Sequence, residues 1–331
     1  MTTDQTTARV LDAAARAAGR APSVHNTQPW RWRVRSDHLD LYAERSRQLR
    51  VADPDGRLLT VSCGAALHHV RLALAARGWQ PAVERLPAPD DPDHLARIRL
   101  GAHLRASGEA MRRLRTAEIR RTDRRPLVDQ PLPPEALEAV RTAVEAEQVH
   151  LHALRGEQVN LLAVTASRAE TLAVKDDRLR VEREAWIGGQ RPDGSGLPDT
   201  VIPTAPPPTH VPVRDFGRPG TLTADQGGDR SATYAVIFGD QDTAAGWLRA
   251  GEALSAAWLT ATEYGVALLP FSAPVETAAT RVVLRRLLSG LGHPYLVLRL
   301  GIADPDHPGP PHTPRLDPAR TVTVDPSADV P

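Results

Sequence analysis

A repeated helix constrains the fold more than any other feature. Gly64-Ala65-Ala66-Leu67 opens a segment that reaches Gly78, 14 residues after its first glycine, and Gly251-Glu252-Ala253-Leu254 opens a second that reaches Gly265, again 14 residues on. Leu67, Val70 and Leu74 form one apolar stripe; Leu254, Ala257, Trp258 and Ala261 form the other. Small residues at the head of each helix let another backbone approach closely. Such helices are common, so on periodicity alone the pair reads as a duplication or as two unrelated amphipathic helices. The surrounding order supports duplication. Each half offers an amphipathic helix (residues 7–19 and 134–147), then a strand, then the Gly-x-Ala-Leu helix.

Around this repeat the pattern is mixed α+β. Trp30-Arg31-Trp32-Arg33-Val34 alternates as a half-buried strand does, with residues 39–42 as its hairpin partner and both tryptophans expected in the core. Helices are expected at 62–77, 111–121, 159–187 and 247–263, and strands at 97–100, 149–154, 234–238 and 295–300. Residues 188–228 are rich in proline and glycine with no sustained period, a length of irregular chain that is usually functional or disordered. The last 25 or so residues read as an extended arm. The halves divide as 1–115 and 116–331, the second holding the irregular segment and the arm at 305–331.

Composition removes several functions. The formal net charge of +1 gives no field to recruit nucleic acid or an anionic membrane. The N-terminus lacks a signal pattern, and no apolar run nears the ~18 residues that span a bilayer, so a cytoplasmic protein is expected. Cys63 is the sole cysteine, which excludes an intramolecular disulfide and a multi-cysteine zinc site; a buried structural thiol is expected. No Gly-x-Gly-x-x-Gly follows a strand and no Walker lysine exists. Gly194-Ser195-Gly196 lies in irregular sequence, and His68-His69 point about 100° apart on a helix, a poor metal pair. Of 41 Lys+Arg residues only Lys175 is lysine, so an anion site here uses arginine forks or backbone N–H groups.

Two chemistry-bearing segments occur once each, in opposite halves. The loop Pro22-Ser23-Val24-His25-Asn26-Thr27-Gln28-Pro29-Trp30 follows the first helix, and Arg120-Arg121-Thr122-Asp123-Arg124-Arg125-Pro126 precedes the first helix of the second half. The arginine cluster suits a phosphate through charge-assisted bonds, or is a solvated basic turn. Ser23 and Asn26, between two prolines, suit the carbonyls and nitrogens of a planar heterocycle, or make Asx-type turn bonds. Each half lacks what the other has, as a fused two-subunit site with one of two equivalent sites lost would.

Together these residues resemble the nitroreductase superfamily, and within it the Acg-type single-chain branch of actinobacterial flavoproteins. Pro22 to Trp30 is the most specific match. Arg120 to Arg124, the Gly-x-Ala-Leu helices, Leu269-Pro270-Phe271-Ser272 and Gly292-His293-Pro294 through Gly301 add to it. The resemblance implies a nitroreductase fold as a pseudo-dimer of two fused halves, with FMN between them. It places Arg120, Thr122 and Arg124 on the phosphate and ribityl end, helped by Arg315, and Pro22, Ser23, Val24, Asn26, Gln28, Pro270, Phe271 and Ser272 around the isoalloxazine. Its chemistry is hydride transfer from NAD(P)H through FMN to a nitroaromatic or quinone, with no catalytic side chain and no metal. The alternative is an FMN-sequestering protein whose lid, residues 188–228, blocks the nicotinamide, with Trp186, Arg214 or Phe216 stacked on the flavin. The fused halves make a further homodimer unnecessary for the site without forbidding one.

Overall fold

The two Gly-x-Ala-Leu segments form α2 (Arg57–Ala75) and α7 (Ala244–Glu263), which cross at Gly64 and Gly251. The computed structural model describes residues 3–223, 228–306 and 309–325. Residues 224–227 of the irregular segment, and 307–308 and 326–331 of the arm, lie outside the described residues.

Two sheets share one topology. The first holds β1 (Trp30–Val34), β2 (His38–Ala43), β3 (Trp79–Arg85) and β4 (His94–His103) in the order β3-β4-β2-β1. The second holds β5 (His150–Ala153), β6 (Thr233–Gly239), β7 (Ala267–Phe271) and β8 (His293–Gly301) in the order β7-β8-β6-β5. These strands pair antiparallel throughout, and a register shift falls at the corresponding place in each sheet, between Leu41 and Tyr42 and between Ile237 and Phe238. The arm adds β9 (Val322–Val324), parallel to β1, as the fifth strand of the first sheet.

The remaining helices are α1 (Thr3–Ala17), α3 (Gly108–Ile119), α4 (Pro134–Glu145), α5 (Glu157–Val174), α6 (Asp177–Trp186), α8 (Ala273–Glu276) and α9 (Ala278–Leu287). Four differences from the sequence reading have local causes. First, α2 starts five residues earlier than expected, because Gly56 takes the left-handed conformation (φ +73°) and Asp53 Oδ2 accepts from Leu59 N at 2.8 Å. Second, the expected single helix over 159–187 is two, because Asp176 caps α6 by accepting from the backbone N–H groups of Arg178 and Leu179 at 2.9 and 3.3 Å. Third, β3 and β7 contain Pro81 and Pro270, which read against strands, and both are edge strands where proline is tolerated. Fourth, α8, α9 and β9 were not expected from the sequence, α8 and β9 being only four and three residues long.

Each sheet has its own core, and the crossing helices bridge them. Leu58 and Val61 at the head of α2 pack into the core of the second sheet, while Leu248 at the head of α7 packs into the core of the first. Trp30 and Trp32 are fully buried in that first core, as expected, and Cys63 is buried too. Across the crossing, the fully buried Glu252 accepts from Arg71 Nη1 at 2.8 Å and from Arg85 Nε and Nη2 at 2.9 and 2.8 Å. Arg71 also reaches Glu147 at 2.6 Å, and His68 Nδ1 lies 2.9 Å from Ser255 Oγ. By length and composition alone α2 resembles a membrane span, contrary to the sequence expectation, yet 89% of its apolar window is buried between the sheets, as for a core helix.

Candidate functional site

A cavity lies between the head of α2, α7 and β7. Pro22 to Asn26 and the head of α2 (Leu58, Val61, Ser62) line one side, and Leu254 and Trp258 of α7 and Leu269 to Ser272 line another. Arg120, Thr122 and Arg124, then Thr313 and Arg315 of the arm, complete the wall. Residues between Leu197 and Arg218 supply most of the rest of its lining.

The loop is held in a conformation most side chains avoid. His25, Asn26 and Gln28 have φ of +44°, +55° and +49°, a left-handed geometry that costs a non-glycine residue energy and persists only when its surroundings enforce it. The enforcement is visible. Gln28 N donates to Ser23 Oγ at 2.9 Å, Thr27 N to Val24 O at 2.9 Å, and Val24 N to Ser62 Oγ at 3.1 Å. Asn26 Nδ2 lies within hydrogen-bond distance of the carbonyls of Gly194 (3.3 Å), Gly196 (3.0 Å) and Pro314 (2.9 Å). Gln28 Nε2 donates to Gly194 O at 2.8 Å while its Oε1 accepts from Leu316 N at 3.1 Å. The loop therefore acts as a clasp, joining the segment after α6 to the arm.

The arginines are arranged differently. Arg120 is buried with its guanidinium 4.3 Å from the Trp258 ring, and Nη2 donates to Arg20 O at 3.4 Å. Arg315 is half-buried and donates to Asn26 Oδ1 at 3.2 Å and Thr313 Oγ1 at 2.6 Å. Arg124 donates to Val201 O at 3.2 Å and lies 5.8 Å from the Phe216 ring. Among the described residues no carboxylate is within ion-pair distance of these three. The one acid of the cluster, Asp123, holds Arg125 at 2.7 Å instead. The Nε atoms of Arg120 and Arg315 are sealed from solvent without a hydrogen-bond partner. Burial, and for Arg120 the nearby Arg315, lowers the pKa of Arg120 to about 9; burial lowers those of Arg124 and Arg315 to about 10. Burying positive charge and orphaned donors without an acid partner is costly unless an anion offsets it.

The 197–218 segment is bonded to the end of β7 and to α8 through Arg214. Arg214 donates to Ser272 Oγ at 3.2 Å and pairs with Glu276, whose Oε1 also accepts from Ser272 Oγ at 2.8 Å. Gly194 (φ +85°) passes so close to the arm that a Cβ there would lie 2.0 Å from Arg315 O. Pro203, Pro206, Pro207 and Pro212 face the cavity and offer it no N–H donors.

Of the residues expected at the site, Pro22, Ser23, Val24, Asn26, Arg120, Thr122, Arg124, Pro270, Phe271, Ser272 and Arg315 all line the cavity. Gln28 does not; it is buried behind the loop as part of the clasp. Arg214 and Phe216 line the cavity, whereas Trp186 packs beneath it with Ile187, Leu197, Val201 and Ile202. The sequence reading missed His25, Ser62 and Thr313. His25 stands inside the most specific motif, and its positive φ was the missing signal. Among the described residues no group of three or more His, Cys, Asp or Glu side chains could hold a metal.

No family model matches the chain. A Mycobacterium tuberculosis H37Rv protein provisionally named NAD(P)H nitroreductase Rv3131 is 37% identical over 318 residues, covering 92% of this chain and 88% of its own length. A protein of the same strain, provisionally named NAD(P)H nitroreductase acg, is 33% identical over 315 residues, covering 93% of this chain and 94% of its own. The crystal structure of a nitroreductase with bound FMN from Desulfitobacterium hafniense aligns over 65% of this chain and 98% of its own, at 14% identity and a TM-score of 0.40. By its full-length likeness to the two mycobacterial proteins, the chain belongs to the nitroreductase superfamily, with Acg-named proteins among its relatives.

Proposed function

We propose that the chain is a fused pair of equivalent halves, meeting near residue 115, that binds one FMN between them as an NAD(P)H-dependent oxidoreductase. The observation that carries this is the set of three arginines without acid partners, two with orphaned Nε donors in the cavity wall. Arg120, Arg315, Arg124 and the hydroxyl of Thr122 would hold the phosphate and ribityl end. Leu254, Pro270, Phe271 and the backbone of Pro22 to Val24 would sandwich the ring. Bound there, FMN supplies hydride transfer from NAD(P)H to a nitroaromatic or quinone acceptor. The side chains bind, orient and exclude water, and none is needed as an acid or nucleophile. The shared strand order of the two sheets and the reciprocal helix crossing support the fused-pair reading.

A second reading, sequestration of FMN beneath a lid, draws on the tie of Arg214 to Ser272 and Glu276 and on the clasp at Gly194. The two readings separate in one experiment. Purified yellow protein is mixed anaerobically with NADPH or NADH and its absorbance followed. Bleaching supports the oxidoreductase; a spectrum that stays oxidised with both nicotinamides, yet bleaches with dithionite, leaves sequestration.

A further inference from the structure

Some polar side chains of the 22–30 loop hold the chain, and among the described residues three, His25, Thr27 and Trp30, have buried polar atoms without a hydrogen-bond partner, of which His25 alone lines the cavity. Ser23, Asn26 and Gln28 are engaged by the clasp, and Thr27, fully buried, is behind the wall. His25 lines the cavity, and neither ring nitrogen has a hydrogen-bond partner among the described residues; Nε2 is also sealed from solvent. Its left-handed backbone is maintained by bonds on both sides, so the imidazole is presented at an energetic cost that packing of the loop alone does not require.

Arg120 and Arg315 act on His69 and His312, while His25 feels Arg214, Arg183 and Arg124. Burial first, and then those three arginines, hold its pKa well below the usual histidine value. The ring is neutral at pH 7, with one N–H donor and one bare nitrogen acceptor. A planar heterocycle carrying adjacent carbonyl and imine or amide groups matches that pair; a phosphate, which only accepts, does not.

We propose that His25 is a ligand-binding residue whose neutral imidazole hydrogen-bonds the edge of the flavin ring, the role that Ser23 and Asn26 would otherwise have. This rests on the FMN reading above. The test compares the parent chain with His25→Gly, which keeps the positive-φ backbone without the imidazole, and His25→Asn, which tolerates that backbone and restores a donor and an acceptor. Kd is measured for FMN and for riboflavin by fluorescence quenching, together with the absorbance spectrum of each bound flavin. One lost hydrogen bond to the ring weakens both flavins by about tenfold in His25→Gly and moves the bound spectrum toward that of free flavin, with partial rescue in His25→Asn. Binding of both flavins within twofold of the parent, with an unchanged spectrum, overturns the proposal. So does weakening of FMN alone, which would put His25 at the phosphate. If the parent binds neither flavin, the FMN reading itself fails, an outcome distinct from the other two.

Discussion

Gly64 and Gly251 face each other at the helix crossing, each against the carbonyl three residues before the other. An ideal Cβ on Gly64 would lie 2.0 Å from Leu248 O, and one on Gly251 would lie 1.9 Å from Val61 O and 2.8 Å from the Gly64 Cα. This reciprocity is how a two-fold interface contacts itself.

The contact makes Gly251→Ala a sharp test of the core. Overpacking costs about 1–3 kcal/mol or more, against about 1 kcal/mol gained from helix propensity. Because the obstructing atom is backbone, a net loss of about 2 kcal/mol or more is expected in urea denaturation. Gly108→Ala, with nothing within 4 Å of its Cβ, is the control and should not destabilise. Equal midpoints for both variants would mean that the helices do not cross where the glycines meet.

Arg120→Leu should separate phosphate recognition from ring recognition. A charge-assisted hydrogen bond contributes about 1.5–3 kcal/mol, so FMN affinity should fall by about 10- to 100-fold, while riboflavin, lacking the phosphate, should bind as before. Equal losses for the two flavins, measured by titration, would place Arg120 at the ring or in the fold instead.

Two buried imidazoles set an acid limit on stability. Burial, then the charges of Arg71, His69 and Arg113, holds His68 well below its usual pKa; burial, then Arg120 and Arg315, lowers His69 to about 3. Below pH 6.5 the unfolded chain takes up protons that the folded chain refuses, so stability falls as pH falls. For His69 this is about 1.4 kcal/mol per pH unit, hence roughly 2 kcal/mol between pH 6.5 and 5. Urea midpoints at pH 7 and pH 5 should differ less in His69→Leu than in the parent. An identical pH loss in both would show that His69 carries its proton in the folded state.

Arg214→Ala removes the tie to Ser272 and Glu276 without touching the arginines proposed for the phosphate. If the covering segment governs exchange, FMN should dissociate about tenfold faster or more, an estimate that takes the tie as about 1.5 kcal/mol or above. Dissociation followed on dilution gives the answer, and an unchanged rate would remove the segment as a gate.

What the sequence revealed follows from interaction range. Trp30 to Val34, the amphipathic stripes and the Gly-x-Ala-Leu heads are local patterns, and each matched an element. The edge strands with Pro81 and Pro270 escaped because edge position, not composition, makes proline acceptable there. Residues expected from loop, cluster and arm line the cavity, yet the long-range bonds of Asn26 and Gln28 were not foreseen. Their amide groups reach Gly194 and the arm across 166 to 289 positions, a pairing no spacing announces. The left-handed His25 was similarly hidden, since histidine carries no mark of the backbone imposed on it.

The arm strand has a consequence for synthesis. β9 pairs with β1, and Leu316 N binds Gln28 Oε1 across 288 positions, so the first sheet emerges from the ribosome long before its fifth strand exists. Until then β1 is an open edge and the loop 22–30 lacks one side of its clasp. The cavity wall, which has Arg315 and Arg120 together, can therefore close only after nearly the whole chain is made.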